Sequence, residues 1–247
     1  MGLYIYGFTD RTVDVTETGL EGAEIVWHEF DGVAIATSTA PEGTIRPRRK
    51  LLAAHQAVVT SLASQTDTLP AAFGLVCEDE DQLASLIASE RDAILTQLHR
   101  VGGCVEMTVG IAWDVENPFA HMMLIDDELK AIGAELAEHG EEAPHQLKVT
   151  AGRRVERLLS DRHLYIAQLF DEAVAPVCQE ATVREGAAET ELFSCTLLVR
   201  RDDEGALDRA LERLAGELDE DYIISVKGPF APHSFVDLQL SFDAATA

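Results

Sequence analysis

The eight histidines are the first candidates for chemistry, because imidazole is the commonest metal ligand and the usual acid–base group near neutral pH. His28 and Glu29 are adjacent in a predicted strand, so their side chains point to opposite faces and cannot bind one metal. His139 and His145 flank an acidic loop, which could hold a divalent cation or simply be solvated. His55 lies on the apolar face of a predicted helix, which favours a core histidine with one hydrogen bond.

The cysteines and carboxylates do not form a recognisable catalytic pattern either. The four cysteines are far apart and lie beside apolar neighbours, so we expect reduced, buried thiols. Cys77 precedes a helix, but the four acids after it would raise the pKa that a nucleophilic thiol needs lowered. The sequence also has no glycine-rich phosphate loop, no GxSxG elbow and no HExxH. We therefore predict no catalytic residues, no metal and no cofactor.

One dense basic cluster interrupts this acidic chain. Arg46, Arg48, Arg49 and Lys50 lie within five residues. Guanidinium groups bind carboxylates through paired hydrogen bonds, so the three arginines are candidate partner-binding residues. The chain's own acidic surface offers the same chemistry, and pairing within the molecule is the alternative.

A rigid bend is predicted between Lys227 and Phe235, where the sequence reads Lys-Gly-Pro-Phe-Ala-Pro-His-Ser-Phe. One glycine and two prolines restrict the backbone there, and proline cannot continue a central strand. Phe230 and Phe235 are expected to pack from this bend. From these residues alone, the plain interpretation is a stiff corner that closes a sheet.

The composition narrows the class of partner. The chain has 247 residues with 44 acidic and 19 basic side chains, so its net charge is 19 − 44 = −25. This charge argues against nucleic acid or an anionic membrane as a partner, since phosphate binding needs clustered lysine and arginine. No apolar stretch reaches the roughly 20 residues of a membrane span, and the apolar N-terminus lacks the basic region of a signal peptide. We expect a cytoplasmic protein with a solvated acidic coat.

The elements that must position these residues follow from hydrophobic periodicity. An N-terminal unit reads β-β-β-α-β-α-β, with a hairpin turn at Asp31-Gly32 and a helix beginning near Arg49. A C-terminal unit reads α-β-β-α-β-β and closes with strands at 222–227 and 235–242. Between the units, 126–142 carries seven acids and one base, and we predict an exposed acidic helix there.

Strands and helices that alternate without a glycine-rich crossover favour an α+β fold. We predict two small domains, each with an antiparallel-rich sheet and helices on one face, and a ferredoxin-like arrangement is an option for the second. The predicted ranges are 1–115 for the N-terminal domain, 116–144 for the acidic linker and 145–247 for the C-terminal domain. A short strand is predicted at 70–77, and the strand at 104–113 is assigned to the first domain.

Several segments, in order along the chain, carry a resemblance to one family. The first three are the opening strand from Leu3, the helix containing Leu51, Leu52 and His55, and a Leu-Pro-x-x-Phe-Gly segment with Pro70, Phe73 and Gly74. The fourth is a strand that begins Gly-x-x-Glu at 103–106. The last is a closing Gly-Pro-aromatic-x-Pro-x-Ser-Phe signature, formed by Gly228, Pro229, Phe230, Pro232, Ser234 and Phe235. On these residues the chain resembles the gas vesicle protein F/L family (GvpF/GvpL). It departs from the family at Ala71-Ala72, where Met-Arg is usual, at Phe230, where Trp is common, and at His233, where Tyr is common.

The resemblance implies a non-enzymatic protein of two α+β domains, an accessory or minor structural protein of gas vesicle assembly. It implies contact with the small, hydrophobic main shell protein, with other gas vesicle accessory proteins as further partners. It also marks the Leu-Pro-x-x-Phe-Gly segment and the closing signature as partner-binding or structural. A charged binder with an apolar groove or an exposed strand edge would hold so apolar a subunit in solution.

Two other classes of function stay open on the sequence. A ligand-sensing α+β module would bind a small effector at a subunit interface, and a hydrolase would need acids that converge in a cleft. The sequence separates neither F-type from L-type members nor one oligomeric state from another.

Overall fold

The computed structural model describes residues 2–184 and 191–238. The strands are β1 (Leu3–Thr9), β2 (Val26–Phe30), β3 (Val33–Thr39), β4 (Thr68–Pro70), β5 (Val76–Cys77), β6 (Cys104–Trp113), β7 (Glu180–Arg184), β8 (Glu191–Arg200) and β9 (Tyr222–Phe230). The α-helices are α1 (Arg49–Gln65), α2 (Glu80–Val101), α3 (Pro118–Ile125), α4 (Asp127–His139), α5 (His145–Val174) and α6 (Glu204–Glu217). Two antiparallel sheets with helices confirm the predicted α+β class.

The first sheet has the strand order β2-β3-β1-β4, and β5 also pairs with β1. The predicted β2–β3 hairpin is confirmed, and Asp31 and Gly32 at its turn both have positive φ. The single strand predicted at 70–77 is wrong. The chain turns at Gly74, so β4 and β5 are separate strands that both pair with β1.

Both faces of β1 are buried, and each contributes to a different hydrophobic cluster. Ile5 and Phe8 join the cluster that contains the α2 side chains, whereas Tyr4 and Tyr6 join the cluster that contains those of α1. The two helices therefore cover opposite faces of the first sheet, whereas the sequence predicted helices on one face. The cause is that β1 is apolar at nearly every position, so its sequence does not mark a solvent-facing side.

The second sheet has the strand order β7-β8-β6-β9. β6, which the sequence assigned to the first domain, lies between β8 and β9. The closing strand predicted at 235–242 is wrong over its described part, since His233–Phe235 forms a 3₁₀ turn and the next three residues form no strand. The remainder of that prediction lies outside the described residues.

Residue contacts divide the chain into two compact units, each built from separated segments. Among the described residues, unit 1 comprises those up to Met107, Leu198–Asp202 and those from Gly228 onward. Unit 2 comprises Thr108–Leu197 and Asp203–Lys227. This division falls within β6, β8 and β9 and does not follow the three contiguous ranges given above, which stay a prediction of domain boundaries.

Within unit 2, the acidic segment forms α4, which packs against α5 and buries Leu129 and Ile132. Asp126 caps α4 by accepting a hydrogen bond from the backbone N–H of Leu129 at 2.7 Å. Arg154 on α5 donates from Nε to the same carboxylate at 3.0 Å and holds the pKa of Asp126 below its usual value. The other acids of this segment are exposed, as predicted.

Candidate functional site

His55 lies at the centre of a buried aromatic cluster in unit 1. It is 4% exposed on the inner face of α1, and its Nδ1 lies 2.9 Å from the Tyr4 hydroxyl. Its ring stacks on that of Tyr6 with the centroids 5.7 Å apart. Burial, together with a smaller effect of the nearby His233, lowers the pKa of His55 from 6.5 to about 4, so the imidazole is neutral near pH 7. This is the core histidine that the sequence favoured.

The Leu-Pro-x-x-Phe-Gly segment closes one side of this cluster. The ring of Phe73 meets those of His55 and Tyr4 edge-on, with centroids 5.7 and 6.1 Å away. The backbone N–H of Gly74 donates to the Tyr4 hydroxyl at 3.1 Å, and the backbone of Ala71 hydrogen-bonds His55. Burial raises the pKa of Tyr4 to about 12, so the phenol keeps its proton and can donate it to His55. The segment is thereby fixed to β1 and α1 at once.

The closing signature also reaches this part of unit 1. Gly228 has a φ of 131°, and a Cβ at this position would lie 2.8 Å from the backbone oxygen of Glu106. Ala231 is fully buried in the Tyr4–Tyr6 cluster, and Phe235 is buried in the cluster that contains α2. Only glycine suits the backbone at the start of the signature, and its apolar residues insert into both clusters.

A buried carboxylate holds the signature in place. Glu106 on β6 is 7% exposed, and it accepts hydrogen bonds from the backbone N–H of Ser234 at 2.7 Å and from the Ser234 hydroxyl at 2.9 Å. Burial lowers the pKa of His233, whereas the nearby Glu106 charge acts in the opposite direction. Glu106 therefore fastens the turn that carries Ser234 and Phe235 to the strand that precedes it by more than a hundred residues.

Several predicted site residues are thus brought together, but not all of them. Phe235 is buried and packs as expected, whereas Phe230 is 39% exposed. Arg46, Arg48 and Arg49 are exposed around the start of α1. None of these three arginines forms an ion pair with another described residue. The alternative of pairing within the molecule is therefore not observed over that part of the chain.

Sequence reasoning missed the most important members of the cluster. The sequence predicts only a strand at Tyr4 and Tyr6, although two tyrosines at i and i+2 must share one face of β1. Glu106 alternates with apolar residues along β6, and that pattern does not reveal that its carboxylate is buried. A glutamate in an otherwise apolar strand is the one available signal, because a buried carboxylate needs hydrogen-bond donors.

An apolar groove adjoins the Leu-Pro-x-x-Phe-Gly segment on the surface of unit 1. It has a volume of about 270 Å³. Its walls come from β1, from the segment after α1 and from the residues after the closing signature: Phe8, Leu69, Pro70, Ala71, Ala72, Leu75, Val236 and Leu238. Pro70 is the predicted site residue that lines it. The groove therefore offers a hydrophobic surface on a strongly acidic protein.

Two further features of the described residues bear on function. No group of three or more histidine, cysteine or acidic side chains there could hold a metal ion. No helix in that part of the chain is both long and apolar enough to cross a membrane.

Comparison with known proteins identifies relatives along nearly the whole chain. The family model described as gas vesicle synthesis protein GvpL/GvpF matches residues 2–237. Gas vesicle protein F of a Streptomyces strain is 30% identical over 209 residues, which cover 83% of this chain and 84% of the relative. Gas vesicle protein F of a Nostoc strain is 24% identical and covers 96% of this chain and 98% of the relative.

Solved structures give the same result at the level of the fold. The crystal structure of GvpF from Anabaena matches with a TM-score of 0.83 and 22% identity, covering 97% of this chain and 99% of the other. The fold described above is therefore that of a known gas vesicle protein. Together with the family match across the chain, this confirms the resemblance that the sequence motifs carried, and the chain belongs to the gas vesicle synthesis protein GvpL/GvpF family.

Proposed function

We propose that this protein is an assembly accessory protein that binds the hydrophobic main shell protein of gas vesicles and keeps it from aggregating before it enters the wall. The observation that carries the proposal is the apolar groove beside Leu69 and Pro70, in a member of a gas vesicle protein family. The role is one of binding, with no bond made or broken.

The groove suits a short apolar segment of a partner. Pro70, Leu75, Val236 and Leu238 are half-buried and Ala72 is exposed, so a partner can still remove apolar area from water there. Each Å² of apolar surface buried contributes about 25 cal/mol, and a subunit that is itself very apolar gains on both sides of the contact. The groove is thus a docking surface for the part of the shell protein that would otherwise associate with itself.

The buried aromatic cluster supports this use by fixing one wall of the groove. Ala71, which lines the groove, hydrogen-bonds His55 through its backbone, and Phe73 and Gly74 contact the Tyr4 ring and hydroxyl. A wall that is already ordered loses less conformational entropy on binding, which favours affinity. In this interpretation the signature residues position the surface, and the groove residues contact the partner.

The net charge of −25 would serve the same end. A complex of this protein with an insoluble subunit would inherit the acidic coat, and like-charged particles resist association. The proposed place of action is the cytoplasm and the growing vesicle, with other gas vesicle accessory proteins as further partners.

The test is to mix the purified full-length protein with the main shell protein and to measure light scattering and co-purification. The wild type should suppress aggregation and co-purify. Ala72→Asp places a charge in the groove and should weaken both effects at least tenfold, since burying an unpaired carboxylate is costly. Ala137→Asp is the matched control, because it adds the same charge at an exposed position of α4.

The two parts of the proposal can fail separately. If the wild type neither binds nor protects the shell protein, the assembly role is wrong. If Ala72→Asp behaves like Ala137→Asp while the wild type protects, the role stands and the groove is not the surface.

A further inference from the structure

A second cavity, in unit 2, has a polar character that the proposed function does not use. It has a volume of about 180 Å³ and is lined by residues of the second sheet. All four strands contribute to its walls: Arg184 from β7, Glu191 and Ser194 from β8, Thr108 and Gly110 from β6, and Ser225 and Lys227 from β9. Residues two apart on a strand share a face, which places Thr108 with Gly110 and Ser225 with Lys227.

Two polar side chains of neighbouring strands lie over Gly110 in this cavity. A Cβ at that position would lie 2.9 Å from the Ser225 hydroxyl oxygen and 3.1 Å from Oε1 of Glu191. The Ser225 hydroxyl also donates to the Gly110 carbonyl oxygen at 3.3 Å. Glycine at this position therefore lets Ser225 and Glu191 approach the backbone of β6.

Two cations line the cavity from the two outer strands of the sheet. Neither Arg184 nor Lys227 forms an ion pair with any other described residue, although the chain has 44 acidic side chains. Two unpaired positive charges around one small cavity favour an anion between them.

Two hydroxyl groups add hydrogen-bonding capacity to the cavity. Ser194 and Thr108 both line it, and a hydroxyl can donate to an oxyanion.

Glu191 sets the chemistry of the anion. A carboxylate only accepts hydrogen bonds, so an oxyanion that sits beside Oε1 must itself carry a proton to donate. Hydrogen phosphate and phosphate monoesters that hold one proton meet this requirement, whereas sulfate does not. Glu191 has lone pairs for more than one partner, so other contacts of its carboxylate do not prevent this one.

We propose that the cavity bounded by Gly110, Ser194 and Lys227 binds a protonated oxyanion of the phosphate class. Arg184 and Lys227 hold its charged oxygens, the Ser194 hydroxyl donates to one of them, and Glu191 accepts its proton in a hydrogen bond. The site belongs to unit 2 and the apolar groove to unit 1, so this proposal and the shell-binding proposal can be tested independently.

The experiment is isothermal titration of the full-length protein with inorganic phosphate and with sulfate, at constant ionic strength. Phosphate should bind saturably at one site, and sulfate at least about tenfold more weakly. Arg184→Gln and Lys227→Gln should each weaken phosphate binding about tenfold, because each removes a charge-assisted hydrogen bond. Arg157→Gln is the matched control, since it removes one exposed arginine of the same unit and should leave binding unchanged.

Two further variants test the assigned roles. Glu191→Gln replaces an acceptor by a group that also donates, so it should bring the affinities for sulfate and phosphate within about twofold of each other. Gly110→Ala should weaken binding, because its Cβ would displace the Ser225 hydroxyl and Oε1 of Glu191, and circular dichroism melting would show whether that variant is folded. Tighter binding of a small phosphate monoester than of inorganic phosphate would identify an organic phosphate as the source, and the reverse order would identify free phosphate.

The proposal is overturned if phosphate does not bind saturably at millimolar concentration. It is also overturned if Arg157→Gln weakens binding as much as Arg184→Gln and Lys227→Gln do, since that result indicates attraction to the whole surface. Equal binding of sulfate and phosphate by the wild type contradicts the role of Glu191.

Discussion

The Nδ1 of His55 lies 2.9 Å from the Tyr4 hydroxyl, and the backbone of Ala71 also hydrogen-bonds this side chain. The Tyr4 oxygen accepts from the Gly74 N–H, which leaves its own proton for Nδ1, and burial keeps the imidazole neutral near pH 7. Histidine can serve as an acid–base catalyst, but His55 here holds β1, α1 and the Leu-Pro-x-x-Phe-Gly segment together. The sequence indicated the burial of His55, but its partners come from positions far along the chain.

This arrangement predicts a loss of stability in mild acid. The pKa of His55 is about 4 in the folded protein and 6.5 ordinarily, so the neutral ring contributes fully above about pH 6.5. That contribution is lost as the pH falls towards 4, and it amounts to about 3 kcal/mol at roughly 1.4 kcal/mol per pKa unit. Urea unfolding of the wild type and of His55→Gln at several pH values measures it. His55→Gln should be less stable near pH 7 and should lose less stability on acidification.

The matched control is His99→Gln, which removes an exposed histidine from α2. His99→Gln should keep the wild-type pH dependence. The pKa of His233 is also lowered, so some pH dependence of the same sign should remain in His55→Gln. An unchanged slope of stability against pH in His55→Gln would show that His55 does not carry the effect.

Among the elements, β6 has the largest influence on the candidate site. It provides Glu106, which fastens the turn after β9 in unit 1, and Gly110, which lines the polar cavity in unit 2. The sequence predicted its boundaries correctly at Cys104 and Trp113. It assigned the strand to the first domain, because alternation along a strand shows its faces and not its neighbours.

The link between β6 and the closing turn predicts a measurable coupling. Glu106→Ala leaves the N–H and hydroxyl of Ser234 without their acceptor, and Ser234→Ala removes one of the two donors. Hydrogen bonds to a charged group contribute about 1.5–3 kcal/mol, so the double-mutant cycle from urea unfolding should give a coupling energy in that range. Glu42→Ala, at an exposed loop position, should change stability by less than about 0.5 kcal/mol. A coupling energy near zero would mean that Glu106 does not fasten the turn.

At the scale of the whole molecule, the charge of −25 is a property of the surface and works against folding. Like charges repel more weakly in the expanded unfolded chain than in the compact native state. The acids on α4 show why the coat is tolerated. They face water, and the one buried carboxylate of that region, Asp126, is paired with Arg154.

Salt should therefore stabilise this protein. The screening length falls from about 10 Å at 0.1 M to about 3 Å at 1 M, so the thermal midpoint should rise by several degrees as NaCl is added. A Glu135→Gln, Glu138→Gln double variant should melt higher than the wild type at low salt and show a smaller rise, since both acids are exposed on α4. A midpoint that falls with NaCl would contradict the repulsion argument.

The sequence by itself determined the local structure, the acidic coat and the family. The helices α1, α2, α5 and α6 and the β2–β3 hairpin depend on periodicity, caps and turn residues that are near one another in the chain, and all of them could be predicted. The motif residues were equally visible, because the family resemblance is a matter of residue identity at fixed spacing. The strand predictions at 70–77 and after Phe235 failed, because the local pattern there fits more than one structure.

Only the tertiary structure decided which of these residues meet. Ser234 and Glu106 are 128 positions apart, and Tyr4 and Gly74 are 70 apart, so no local pattern could pair them. The same holds for the two cavities, whose walls come from strands and loops that are distant in the chain. Burial and hydrogen-bond partners depend on the packing of the whole fold, and a buried polar group is stable only where the fold supplies its partners.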